Sequence, residues 1–261
     1  MEHIIDLARY PLDMPETEAY ADLVSQAQGS LAAEGLFNLP GFLKAEALEG
    51  LLTHSRPLLE SASFEHARWH NIYFKDHVDG LAPDDPALAK VKTTNHTICH
   101  DQLLGTALDQ IYRWAPFARF IADVMEQPEL HQMDDPLAGV NVMEYRDGEA
   151  LNWHFDRSVF TITILLQEAE QGGLFEYAKD LRSDDDPNYA GVAELVAGRL
   201  EPTVLQQDPG TLNVFLGKNT AHRVTPVSGT TSRIVNTMSF YPEPGVAFTE
   251  KERVGFYGRV G

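Results

Sequence analysis

Three side chains in this sequence could hold one metal ion. His154 and Asp156 stand in the run Asn152-Trp153-His154-Phe155-Asp156, and His222 follows 68 residues later in Asn219-Thr220-Ala221-His222-Arg223-Val224. Two imidazoles and one carboxylate make a facial triad, which occupies one face of an octahedron and leaves the opposite face for chemistry. In an extended strand, residues i and i+2 point to the same side, about 6–7 Å apart. His154 and Asp156 can therefore reach one ion while Phe155 faces the opposite layer. The donor set suits non-haem Fe(II), but two His and one Asp can also hold catalytic zinc. The ligands alone leave both open. The single cysteine, Cys99, argues against a thiolate-bound structural zinc or iron–sulfur cluster.

A second group adds to this. Arg233 lies eleven residues after His222, in Ser232-Arg233-Ile234-Val235-Asn236-Thr237-Met238-Ser239. A buried guanidinium beside a metal is a clamp for a carboxylate, donating two parallel hydrogen bonds. Strand alternation puts Val235, Thr237 and Ser239 on the face of Arg233, so Thr237 and Ser239 are candidates to line a cavity. Asn141 and Glu144, on a strand near the metal strand, are further candidates, Glu144 for a substrate ammonium group. Arg157 follows Asp156 directly. It could grip a substrate carboxylate or pair with Glu144 or Glu176.

The elements that must position these groups can be read along the chain. Residues 17 to 33, rich in Ala, Leu and Glu, predict a helix, and residues 35 to 43 a short strand and turn. A second helix is expected from Ala45 to Leu59, closing at or soon after Pro57. Asp101 to Met125 carries Leu104, Leu108, Ile111 and Trp114 at helical spacing, and Pro116 should kink or divide it. From Val140 onward the pattern is β: Val140–Tyr145, the Asp147-Gly148 turn, the metal strand, Val159–Leu166, Gly172–Tyr177, Leu212–Leu216 and Ser232–Tyr241. Short strands between Gly/Pro turns predict a sandwich or barrel, mainly β with flanking helices, in which a rolled sheet brings His222 back to His154. The acidic stretch 181–199 reads as an insertion ending in a short helix. Trp69–Phe74 and Asn95–Thr97 are placed to cover the mouth, and Phe256-Tyr257 to dock the tail. The expected organisation is one domain over 1–261: a largely helical buttress (1–139), a β core (140–245) and a C-terminal tail (246–261).

Composition narrows the partners. A net charge of −19 argues against nucleic acid and against an anionic membrane surface, both of which call for basic patches. No segment approaches the roughly 20 apolar residues of a membrane span. Met1-Glu2-His3-Ile4-Ile5-Asp6 lacks the basic start and apolar run of a signal peptide, and one cysteine fits a reducing compartment. The cytoplasm is the expected location, and base rates make a homodimer plausible.

His-x-Asp, a distal His, and Arg eleven residues later, in order and in strand-like sequence, resemble the Fe(II)/2-oxoglutarate-dependent dioxygenases. Asn152 to Arg182, with its Trp153-His154-Phe155-Asp156-Arg157-Ser158 and its Gly172 to Tyr177, and Gly210 to Tyr241 are similar to one branch of small bacterial members. That branch includes amino-acid hydroxylases and free-lysine radical halogenases, and the likeness covers roughly residues 92 to 245. It implies a double-stranded β-helix (jelly roll, cupin-like) core, with Fe(II) on His154, Asp156 and His222, 2-oxoglutarate anchored by Arg233, and O2 as the oxidant. Halogenases of the branch have Gly in place of the metal carboxylate, which opens a site for chloride. Asp156 stands at that position here, so the implied reaction is hydroxylation of a free or lightly modified amino acid, with release of succinate and CO2. The same chemistry on another small biosynthetic metabolite, including desaturation or cyclisation, shares every motif. A metal-binding jelly roll without oxygenase activity would have no role for Arg233.

Overall fold

Two antiparallel sheets face each other, and helices cover the outer side of the larger one, in the computed structural model, which describes residues 1–261. In chain order the first elements are α1 (Glu18–Glu34), β1 (Leu36–Leu39), α2 (Ala45–Ser61), β2 (Phe64–His70), β3 (Val91–Ile98), α3 (Ala107–Arg113), α4 (Ala115–Val124) and β4 (His131–Gln132). Then come β5 (Val140–Tyr145), β6 (Leu151–His154), β7 (Thr161–Gln167), β8 (Gln171–Gly172), β9 (Phe175–Ala178), α5 (Tyr189–Val196) and β10 (Thr203–Leu205). The chain ends with β11 (Leu212–Phe215), β12 (Ala221–Val224), β13 (Val227–Ser228), β14 (Arg233–Met238), β15 (Phe240–Tyr241) and α6 (Glu250–Tyr257). The larger sheet has the order β1-β11-β7-β14-β5-β3-β2 and the smaller β10-β9-β12-β6. This is the mainly β architecture with flanking helices expected from the strand pattern, in the jelly-roll form that the resemblance implies.

Strand alternation sorts the core from the cavity. On β7, Ile162 and Ile164 join a 37-residue core beneath α1, α2, α3 and α4, while Thr161 and Thr163 take the other face. Val214 and Leu212 on β11, Ile234 and Met238 on β14, and Val140 and Val142 on β5 line the same core. Each large side chain buried there stabilises the fold by about 1.5–3 kcal/mol. The opposite, inward face carries a polar row across five strands. Register aligns Asn38, Asn213, Thr163, Thr237 and Asn141. Leu36, Phe175, Tyr177 and Phe215 close one end of the space between the sheets.

Local chemistry explains most boundaries. Thr17 caps α1 by accepting from the Tyr20 N–H, and Gly35, at φ 75°, ends it in the left-handed conformation that glycine tolerates. The helix expected over residues 101–125 is two helices. The break falls at Trp114, with extended φ −81° and ψ 112°, and Pro116 lies in the first turn of α4. α2 runs one turn past Pro57, to Ser61. The first 139 residues do more than buttress: β1, β2 and β3 are three of the seven strands of the larger sheet. Within the acidic insertion, α5 packs Val192 and Leu195 against Ile72, Trp153, Phe155 and Leu181, covering the outer side of the smaller sheet. α6 docks Tyr257 onto Cys99, Met133, Leu137 and Ala138, as the aromatic tail pair led us to expect. No helix is long and apolar enough to cross a membrane.

Candidate metal centre

The pairing of β12 with β6 sets His222 directly opposite His154. Side chains of such a pair share a face, and the two imidazole centroids are 4.1 Å apart. Each ring is oriented by its own backbone. The Nδ1–H of His154 donates to the Asn152 carbonyl at 2.9 Å, and that of His222 to the Thr220 carbonyl at 3.0 Å. A carbonyl only accepts, so both Nε2 atoms keep a free lone pair for a metal. Phe215 packs edge-on against His222 at 4.8 Å and Phe175 stacks on it at 5.7 Å, which leaves that ring little freedom.

Asp156 completes the triad by a different route from the one its spacing suggests. The β6 ladder stops at His154, so strand pairing does not hold Asp156. Its backbone N–H instead donates to the Gly217 carbonyl at 3.0 Å. Alternation still carries through: Trp153 and Phe155 turn outward, under the Arg223 and Arg182 guanidinium groups. Asp156 Oδ1 lies 3.5 Å from His154 Nε2 and 3.4 Å from His222 Nε2. The three ligand atoms are within 4.8 Å of one another, so the residues fit a single ion. Burial opposes the charge of Asp156, but the two imidazoles outweigh it and hold the carboxyl well below the usual carboxylate range. Burial lowers the pKa of His154, as does His222 beside it. Burial also works against a charged His222, where Asp156 outweighs it and raises the pKa.

Arg233 opens β14 opposite Tyr145 of β5, on the inward face. It is 6% exposed, and its Nε has no hydrogen-bond partner. Burial pulls its pKa down to about 10, against the opposing pull of Tyr145 and Glu168. A cavity of about 190 Å³ opens beside it, lined by Glu168, Gly173, Phe175, Leu205 and Gln207 among others. A desolvated guanidinium without a counter-ion is costly unless an anion completes it.

The remaining candidates divide. The Thr237 hydroxyl, on the inward face with Arg233 and Val235, makes no hydrogen bond to protein, and neither does that of Ser239, which follows the end of β14. Asn141 shares that face, but its amide donates to the Leu137 and Val140 carbonyls and its oxygen accepts from the Tyr257 hydroxyl. Its polar atoms are spent on docking α6. Glu144 corrects our expectation. Its cross-strand partners are Ile234 and His96, which puts it on the helix-covered face, where it accepts from Arg146 and Ser232. Arg157 pairs with Glu252 at 2.8 Å rather than with Glu144 or Glu176, and its side chain is 78% exposed.

One group was not singled out from the sequence. Arg68 lies on the edge strand β2 with its guanidinium 4.6 Å from the centre of the Phe74 ring. Phe74 stacks on His70 at 4.4 Å and stands edge-on to the ligand His154 at 6.0 Å. Arg68 thus borders the metal site. The guanidinium groups of Arg68 and Arg233 make no hydrogen bond or ion pair to protein, whereas that of every other arginine does. Burial lowers the pKa of Arg68, as does the Arg157 guanidinium nearby. Of the segments expected at the mouth, His70 and Phe74 lie beside the metal site, whereas Trp69 is exposed. Asn95 and Thr97 are buried and bond to each other at 2.9 Å.

Known structures share this architecture. The epimerase SnoN from nogalamycin biosynthesis, an α-ketoglutarate-dependent non-haem protein, superposes with a TM-score of 0.57 at 13% identity, over 85% of this chain and 83% of that one. AviO1 from Streptomyces viridochromogenes Tue57 gives 0.55 at 16% identity, over 85% and 96%. A prolyl-4-hydroxylase from Pseudomonas putida gives 0.51 at 15% identity, over 82% and 97%. At these identities the likeness is one of fold, that of the Fe(II)/2-oxoglutarate-dependent oxygenases. No curated protein matches in sequence. The family model described as Halogenase D matches residues 20–247, which include the triad and Arg233. The chain therefore belongs to the Halogenase D family.

Proposed function

We propose that this protein is an Fe(II)- and 2-oxoglutarate-dependent hydroxylase of a free or lightly modified amino acid. The observation that carries the reading is the pairing of a preformed His154–Asp156–His222 triad with the buried, unpartnered Arg233. His154, Asp156 and His222 would hold Fe(II), and Arg233 would anchor the distal carboxylate of 2-oxoglutarate. Tyr145, across the strand from Arg233, is placed to support that end. Iron, 2-oxoglutarate and O2 together supply the oxidation: decarboxylation to succinate and CO2, and attack on a C–H bond of the substrate.

The chain's own groups position and exclude. The Nδ1 bonds of both imidazoles keep Nε2 facing the metal. Phe74 walls the site beside His154, and Phe215 and Phe175 pack behind His222. Arg68 is the group we assign to a substrate carboxylate, with the free Thr237 and Ser239 hydroxyls as further contacts. A carboxylate-bearing substrate suits an unpaired cation in a chain of net charge −19, where most cations already have acidic partners. Arg157, tied to Glu252, and Asn141, tied to Tyr257, have weaker claims. The family takes its name from halogenation. Asp156 favours hydroxylation, because the carboxylate fills the position that halogenases of the branch leave open to chloride.

The test is succinate release after anaerobic loading with Fe(II), followed by air and 2-oxoglutarate, across the twenty amino acids and simple N-acyl derivatives with chloride present. Stimulation by one compound, with a product heavier by one oxygen, is expected. A chlorinated product would refute the hydroxylase assignment. Binding of iron and 2-oxoglutarate without stimulation by any compound would refute the amino-acid assignment and move the search to other metabolites.

A further inference from the structure

Asp156 is held by more than its backbone. The Thr161 hydroxyl donates to Asp156 Oδ2 at 2.6 Å, and the Ser158 hydroxyl lies 3.4 Å from that of Thr161. Oδ2 is thereby occupied, while Oδ1 alone faces both histidine Nε2 atoms. On the other side stands Gly217. A Cβ there would overlap Oδ2 and come within 2.8 Å of the carboxyl carbon and 2.9 Å of Asp156 Cβ. The three nearest atoms to that added carbon all belong to Asp156. Gly217 is not among the residues with positive φ, so its backbone conformation does not call for glycine. What calls for glycine is the close approach of the carboxylate. The same residue accepts the Asp156 N–H through its carbonyl.

We infer that Thr161 and Gly217 form a cradle that fixes Asp156 as a one-oxygen metal ligand. Both are positioning residues. Thr161 ties down the idle oxygen, and Gly217 leaves the space the carboxylate needs while anchoring its backbone. The inference rests on the reading of the triad as the metal site. It goes further by explaining how a ligand beyond the end of its strand keeps its place. A carboxylate held by one oxygen takes one coordination position and leaves the open face of the triad intact. Outer partners of this kind commonly change metal affinity by about 10–100-fold when removed.

Co(II) binding to the full chain, measured anaerobically by calorimetry and by its visible absorption, tests the cradle without substrate or turnover. Gly217→Ala should weaken Co(II) binding by roughly 10–100-fold. Thr161→Val should weaken it by about 10-fold, and Thr161→Ser should restore it to within about threefold. The decisive variant is the double one. Asp156→Gly removes the group that a Gly217 side chain would strike, so adding Gly217→Ala to it should change affinity by less than about twofold. Should Gly217→Ala alone fail to fold, the double variant must still fold as well as Asp156→Gly. Wild-type affinity in Gly217→Ala would overturn the inference, as would an equal loss in the Asp156→Gly background or an unfolded double variant. Absence of Co(II) binding by the unaltered protein would instead sink the metal-site reading, and the cradle with it.

Discussion

Arg233 and Arg68 are the two guanidinium groups that the protein leaves without an acidic or hydrogen-bonding partner, and each is read as waiting for a carboxylate. Removing Arg233 removes a buried charge that has no ion pair in the apoprotein and only the more distant pull of Glu168 and Tyr145. Arg233→Ala should therefore weaken 2-oxoglutarate binding by at least about 10-fold, the scale of one charge-assisted bidentate pair, without lowering the Tm of the apoprotein. Unchanged affinity by calorimetry would remove Arg233 from the clamp role. Arg68→Met should raise the KM of the stimulating amino acid by about 10–100-fold and leave 2-oxoglutarate affinity within about twofold. Equal losses toward both ligands would mean that Arg68 acts through the fold. The triad and Arg233 were legible in the sequence because strands repeat every two residues and the ligand types are few. Arg68 was not, since the alternation in His66-Ala67-Arg68-Trp69-His70 runs the wrong way, with the apolar Ala67 and Trp69 exposed, and the isolation of a guanidinium depends on the whole surroundings. Glu144 was misplaced because the face a residue takes on β5 depends on register with β14 and β3, which one sequence does not display.

Among the elements, β7 joins the helix-covered core to the triad. Ile162 and Ile164 bury their side chains against the helices, while Thr161, on the other face, reaches Asp156. Ile164→Ala should lower the unfolding free energy by about 2–5 kcal/mol in a denaturant titration, while folded protein keeps its Co(II) affinity. A loss under about 1 kcal/mol would contradict the central place given to this strand. The strands from β5 onward were readable from alternation and turns. β2 and β3 were not, because their inward face carries polar residues, His66 and Arg68 on β2 and Thr93, Asn95 and Thr97 on β3, in place of an apolar row. Asn152 is bound to both Thr93 and His70 from β6. α2 outlasts Pro57 because the helix still buries Leu59 beyond it, so packing overrides the local break.

Over the whole molecule, metal binding should be coupled to stability, because the triad draws its ligands from two separate stretches of chain that meet only when β6 and β12 pair. A ligand that binds only the folded state at about 100 times its Kd adds roughly 2.7 kcal/mol. Chelating the metal should then lower the Tm by about 5–10 °C, and His222→Ala should abolish the difference. Equal Tm values with and without metal would contradict the coupling. One iron held by His154, Asp156 and His222 and chelated by 2-oxoglutarate would show itself in the visible spectrum. Protein loaded anaerobically with Fe(II) is titrated with 2-oxoglutarate while the visible spectrum is followed. A saturable metal-to-ligand charge-transfer band of one equivalent is expected, absent in His222→Ala and requiring much more 2-oxoglutarate in Arg233→Ala. A Fe(II)-loaded protein that develops no band at any 2-oxoglutarate concentration would contradict such a chelate.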